Sequence, residues 1–230
     1  MTTLLENIPD KIDTFVAPPC AEEIEILFQD EQLLLINKPS GLLSLSGKNP
    51  LNRDSVHFRL VKQFPSATMV HRLDFGTSGI MLLALNRAAN ANIVRQFQAR
   101  TVAKSYIAVL FGHLDKAQGC IDAPIAKDRQ NFPLVKICHE TGKQARSQYR
   151  VIEYLQNPVT TRVQFTALTG RTHQLRIHSR EIGHPILGCD LYGTEQTRTM
   201  ADRLMLHAEV LEFDHPVSGE RIVGQANCPF

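Results

Sequence analysis

The chain has 230 residues, 43% hydrophobic and 21% charged, with a formal net charge of +2. That balance fits a globular protein of one large domain or two small ones and excludes whole-chain disorder, collagen and coiled coil. No run approaches the roughly 18 apolar residues of a membrane span.

The charge is unevenly placed. Residues 53–104 hold eight Lys/Arg against two Asp/Glu, and residues 127–180 hold ten against three. Residues 1–52 and 181–230 each hold three against eight. If the two basic segments share a face, that face can track a phosphate backbone; solvated helix and strand faces would give the same counts. Five cysteines, Cys20, Cys120, Cys138, Cys189 and Cys228, are widely spaced and include no CxxC. Unpaired thiols in a reducing compartment are expected, which reads as the cytoplasm.

Residues 1–22 form an acidic arm with Pro9, Pro18 and Pro19, expected to pack poorly. The arm lacks a basic head and apolar core, so it does not read as a signal peptide. Residues 23–230 read as one catalytic domain. Ile24–Phe28 and Leu33–Ile36 flank a short polar segment, as in a hairpin. Lys38-Pro39-Ser40-Gly41 is a turn. Asp54 to Phe64 reads as a helix, with Asp54 or Ser55 as cap and Pro65 after its end.

Thr68 to Asp74 alternates as an extended segment, so Arg72 and Asp74 share a face and His71 lies on the other. Phe75-Gly76-Thr77-Ser78-Gly79 is a tight turn. A carboxylate and a guanidinium thus stand just before rigid turn backbone, where reactive groups are well exposed. Alone, such a segment is more often an aspartate starting a turn beside a surface arginine. Ile80–Leu85 is an apolar run suited to a strand buried on both faces. Asn86 to Arg100 is an amphipathic helix with Asn90, Ile93, Val94 and Phe97 inside and Arg87, Arg95 and Arg100 outside.

Lys104 to Gly112 contains the next strand, with Lys104, Tyr106, Ala108 and Leu110 on one face. A strand tyrosine is ordinarily a packing residue. Short strands and turns alternate between Gln118 and Leu155, and Arg162–Leu168 is a strand. Thr172 to Ile182 reads as a helix ended by Gly183, with His173, Arg176 and Arg180 forming a basic stripe. His173 and His178 are five apart, which disfavours a metal pair on one helix face. No GxGxxG or GxxxxGK[ST] loop appears. Leu206–Phe213 and Glu220–Val223 close the chain as a hairpin. Strands outnumber helices and follow closely on one another, which predicts an α+β fold with a mixed, mainly antiparallel sheet flanked by helices.

Taken in order, Asn37 to Gly41, His71 to Gly79, Lys104 to Gly112, Gly170 to His178, Gly183 to Gly188 and Leu206-His207-Ala208 with His215-Pro216 resemble the RluA-type pseudouridine synthases. The resemblance runs from about Ile24 to the C-terminus. It implies a pseudouridine synthase core with a central RNA-binding cleft, which isomerises uridine in RNA with no cofactor and no required metal. It puts Asp74 at the catalytic aspartate, Tyr106 at the tyrosine that packs on the target base, and Arg176 at the basic partner of the aspartate. Arg72 falls where an arginine helps displace the base, and His71, Arg171, His173 and Arg95 are expected to contact RNA. An S4-type RNA-binding domain, common in relatives, is expected to be missing. The chain looks most like the short branch of the family, which acts on 23S ribosomal RNA and transfer-RNA anticodon stem-loops; a monomer is expected. One departure is Cys189 after Gly188, where Asp is usual, with Asp190 following.

The chemistry suits these residue types. The glycosidic bond must break, the base must turn, and a bond must form through C5. An aspartate side chain ordinarily titrates at roughly 3.9, so at neutral pH it is ionised and ready to act as nucleophile or ion stabiliser. Attack at C1′, attack at C6 and elimination to a glycal all remain open. A non-catalytic RNA-binding protein on the same scaffold and a glycoside hydrolase are the competing readings. The second would need another carboxylate, and none accompanies Asp74 in its stretch.

Overall fold

The computed structural model describes residues 15–230. Its strands are β1 (Glu25–Gln29), β2 (Leu33–Lys38), β3 (Thr68–Met69), β4 (Ser78–Ala84), β5 (Ala103–Phe111), β6 (Gln118–Asp122), β7 (Ile125–Lys127), β8 (Val135–Ile137), β9 (Arg146–Gln156), β10 (Val159–Ala167), β11 (Leu206–Asp214) and β12 (Arg221–Gln225). Its α-helices are α1 (Val56–Leu60), α2 (Arg87–Ala99), α3 (Gln174–Glu181) and α4 (Glu195–Thr199). Ten strands form one sheet in the order β1-β2-β4-β11-β5-β10-β9-β6, with β12 also on β11 and β3 also on β4; β7 and β8 pair separately. Among the named strand pairs only β4–β11 is parallel. The α+β class and the mixed, mainly antiparallel sheet read from the sequence are those of the structure.

All seven residues of β4 are buried, as its apolar run requires of a central strand covered on both faces. Two half-cores flank the sheet's middle. One gathers β2, β4, α1 and α2 with Leu211 and Phe213; the other gathers β5 and β10 with Leu175, Ile177, Ile186 and Tyr192. Tyr106 packs against both, so it stands at the seam.

Local chemistry sets the helix ends. Asn86 accepts the Ala89 N–H to start α2, and Arg100 ends it in the left-handed region at φ 61°. Ser55 caps α1 by accepting the Phe58 N–H, while Asp54 pairs with Arg59 instead. Regular α-helix stops at Leu60, short of the expected Phe64, although Phe64 N still bonds Leu60 O. Residues 15–22 of the arm are largely exposed but tethered to the domain. Asn52 bonds both Phe15 O and Ala17 N, Arg59 donates to Glu22 O, and the Phe15 ring meets Phe75 edge-on at 5.4 Å. The first part of the arm lies outside the described residues. No helix among the described residues is long and apolar enough to cross a membrane, and all five cysteines are free thiols.

Candidate active site

The turn bearing Asp74 is held from below by the segment that follows β2. Ser44 Oγ donates to Leu73 O at 2.7 Å and accepts from Leu73 N at 3.2 Å. Ser40 Oγ donates to Gly76 O, and Gly41 N to Phe75 O. Lys38 is fully buried, and its ammonium donates to the carbonyls of Pro39, Leu42 and Phe75 at 2.8, 2.7 and 3.2 Å. Burial drives its pKa down to about 7, while the charges of Cys20, Asp74 and Glu22 act the other way. The turn closes through the backbone, Thr77 N donating to Asp74 O at 3.1 Å. The carboxylate is therefore not spent on starting the turn, as the simple turn reading would have it.

Asp74 opens into a cavity of about 680 Å³ at the seam of the half-cores. A row of paired residues crosses the sheet beneath it: Gly79 beside Ala208, Ala208 beside Tyr106, Tyr106 beside Phe165. Gly79 sits at φ +114°, and a Cβ there would overlap the Ala208 carbonyl, so only glycine lets these strands meet behind the turn. Burial and the charge of Asp74 raise the Tyr106 pKa, so its hydroxyl stays protonated.

Arg176 comes from α3 and is 3% exposed. Its Nη1 lies 4.0 Å from Asp74 Oδ2. Its Nη2 binds the Asp190 carboxylate, its Nε donates to Cys189 Sγ at 3.4 Å, and the guanidinium lies 5.5 Å over the Tyr192 ring. Burial works against the charge, but Cys189, Asp190 and Asp74 outweigh it and raise the pKa. The guanidinium is thus clamped on three sides with one edge left toward Asp74. The departure at Cys189 carries this clamp, which makes Asp190 and Cys189 site residues, although in the sequence they look like loop geometry alone.

The helix that delivers Arg176 buries polar side chains where a periodic pattern expects apolar ones. Gln174, Arg176, His178 and Ser179 are all buried. Gln174 ties together Thr169, Arg171 N, Arg146 O and Ser147, and His178 bonds Ser147 Oγ and Ala123 O. Each of these buried polar groups finds a partner, so they dock alongside the buried Leu175 and Ile177 of the same helix. The expected basic stripe is corrected accordingly: Arg176 faces inward and Arg180 is exposed.

The remaining candidates separate. Arg72, Arg171 and His173 line the cavity. Arg95 does not; it is exposed on α2, with its Nε turned back to Ala91 O. Arg100 and Lys104 line the cavity in its place, the first because the left-handed end of α2 redirects the chain. His71 borders the cavity, but its Nε2 accepts the Leu82 N–H at 2.9 Å and its ring stacks on Phe97. Burial and the Lys104 charge push its pKa down to about 3, so it supplies packing and a backbone contact rather than a cation for phosphate. Among the lining residues Asp74 is the only carboxylate, so the pair required of a glycoside hydrolase is missing from this cavity.

The His71 environment has a measurable consequence. The unfolded chain takes up a proton near pH 6.5 that the folded chain refuses until about 3, so the unfolded state holds more protons between these values. Stability from this site is full above pH 6.5 and is lost as the pH falls toward 3. Urea-unfolding midpoints should decline from about pH 7 to about pH 4, and His71→Asn should flatten that decline; a variant with the parent's slope would refute the assignment.

The sequence of residues 32–181 matches the family model described as RNA pseudouridylate synthase. The dual-specificity RNA pseudouridine synthase RluA of Escherichia coli K12 is 44% identical over 213 residues, covering 93% of this chain and 97% of that protein. Its Yersinia pestis counterpart is 46% identical over 194 residues, covering 84% and 94%. Among solved structures, human RNA pseudouridylate synthase domain containing 1 superposes with a TM-score of 0.78 at 31% identity, covering 93% of this chain and 86% of that one. Human RNA pseudouridylate synthase domain containing 4 gives 0.72 at 25% identity, covering 89% and 88%. With sequence, family model and fold in agreement along nearly the whole chain, this protein belongs to the RluA-type RNA pseudouridine synthases.

Proposed function

We propose that Asp74 is the carboxylate that acts on the target nucleoside, in 23S ribosomal RNA, a transfer-RNA anticodon stem-loop, or both. The observation that carries this reading is a carboxylate in an open cavity, facing the one free edge of a guanidinium otherwise immobilised by Cys189, Asp190 and Tyr192. A charge fixed before the substrate arrives needs no reorganisation during reaction. Tyr106 offers the base a ring face and a protonated hydroxyl. Arg72, exposed at the mouth, is placed to fill the gap left by the extruded uridine, whose unstacking costs a few kcal/mol. Arg100, Lys104 and Arg171 supply the phosphate grip.

Residues 23–230 would form the catalytic domain, with residues 1–22 as its arm, working as a cytoplasmic monomer. The reading of two RNA substrates is supported by the dual specificity in the names of the bacterial relatives, which this chain matches over nearly their whole length. Tritium release from C5-labelled uridine in each RNA tests it; release from neither would overturn the substrate assignment.

Asp190 should act through Arg176. Asp190→Ala frees Nη2 and lets the guanidinium swing, which is expected to lower the single-turnover rate about tenfold while RNA affinity changes little. An unaltered rate would remove the clamp from the account.

A further inference from the structure

His173 is unusual on two independent counts. It precedes α3 in the left-handed region, at φ 53°, and its side chain makes no cap hydrogen bond. A residue before a helix ordinarily lies in the extended region and caps with a short oxygen side chain, so helix capping does not explain this residue. A non-glycine residue held left-handed and not used as a cap is a candidate for a functional constraint.

The ring's partners indicate that purpose. His173 Nδ1 lies 2.8 Å from the Tyr192 hydroxyl, which itself accepts the Val135 N–H at 3.0 Å. Tyr192 is 3% exposed, so its hydroxyl proton needs an acceptor, and Nδ1 is the one provided among the described residues. Nδ1 therefore accepts and Nε2 carries the hydrogen. Nε2 has no hydrogen-bond partner among the described residues, and His173 lines the cavity that holds Asp74. Burial lowers the His173 pKa, against the field of Asp74, which favours the uncharged ring.

The cavity is also lined by Arg100, Lys104 and Arg171, the proposed phosphate grip. A neutral, half-buried donor adds little to such a grip; what it adds is direction. Uracil presents two carbonyl oxygens, at C2 and C4, and cytosine replaces the second with an amino donor. A group that can only donate suits the first base and, if it faces position 4, rejects the second.

We propose that His173, locked as its Nε2–H form by Tyr192, donates a hydrogen bond to a carbonyl oxygen of the uracil bound beside Asp74. Tyr192 is then a positioning residue, and its contact with Val135 ties the β7–β8 pair to the base site. The proposal rests on the reading that this cavity receives the target uridine.

The test uses the full chain and C5-tritiated RNA in three forms, with the target uridine unmodified, 2-thio or 4-thio, since sulfur accepts hydrogen bonds weakly. His173→Gly removes the ring and suits the left-handed backbone, and an unchanged thermal midpoint checks that the fold survives loss of the Tyr192 acceptor. It is expected to slow release from unmodified RNA about tenfold, with RNA affinity held within about twofold because phosphates dominate binding. In the parent, sulfur at the contacted position slows release about tenfold, and in His173→Gly that penalty disappears. The position showing this coupling, 2 or 4, identifies the oxygen. Tyr192→Phe should slow release less than His173→Gly and retain the sulfur effect. A His173→Gly protein as fast as the parent, or equal sulfur penalties in both proteins, would overturn the proposal. Full activity of Asp74→Asn would instead remove the cavity reading beneath it.

Discussion

Asp74→Asn is expected to lower single-turnover tritium release by about 10⁴-fold, the scale seen when a reacting side chain is removed from a preorganised site. The substitution keeps size and shape, so the loss would report charge and nucleophilicity rather than packing. The fold should tolerate it. Asp190 continues to neutralise Arg176, and the Thr77 N–H is bonded to the backbone carbonyl of residue 74, which the substitution leaves in place. Thermal midpoint should therefore shift little. RNA affinity should hold or rise slightly, because one negative charge leaves a cavity that receives phosphates. A residual rate within about tenfold of the parent would be inconsistent with any of the three chemical routes open to Asp74.

Gly79→Ala should strongly destabilise the fold. A Cβ at this position would overlap the Ala208 carbonyl and lie 2.6 Å from the Ala208 nitrogen, and the φ of +114° is itself disfavoured for a side-chain-bearing residue. The clash is with backbone in the only parallel pair among the named strands, so no rotamer change relieves it. A cost of about 4 kcal/mol or more is expected, which for a chain of this length lowers the thermal midpoint by about 10 °C. Gly219→Ala is the control. Its φ is +73°, but nothing lies within 4 Å of the added carbon, so only the conformational cost of about 1 kcal/mol applies. Equal losses in the two variants would show that the close approach of β4 and β11 is not what Gly79 protects.

Much of this molecule is legible locally. The apolar run of β4, the caps and ends of α2, and the paired turns of the β11–β12 hairpin follow from residues within a few positions of one another. The candidate carboxylate, tyrosine and arginine are legible for a different reason: each lies in a contiguous stretch that resembles a known family. Sequence and structure differ most where burial and polarity part company. His71 reads as an RNA contact in sequence; in the structure it borders the cavity with its ring stacked on Phe97 and its Nε2 accepting the Leu82 N–H. Arg95 and Arg100 lie on one basic helix, yet only Arg100, at its left-handed end, lines the cavity. α3 buries Arg176 and His178 beside Leu175 and Ile177 because Ser147, the Ala123 carbonyl and Cys189 satisfy them from other elements, and periodicity carries no record of such partners.

From its order of residues alone, this chain's class, most of its longer elements and its family are determined, since each depends on short-range propensity or on contiguous motifs. The tertiary structure decided which groups face one another. It brought the Arg176 edge to within 4.0 Å of Asp74, clamped the rest of that guanidinium with Asp190 and Cys189, and placed His173, held at Nδ1 by Tyr192, on the wall of the same cavity. These contacts join residues far apart along the chain, and their geometry is fixed only when the two half-cores close around Tyr106 and desolvate the charges between them.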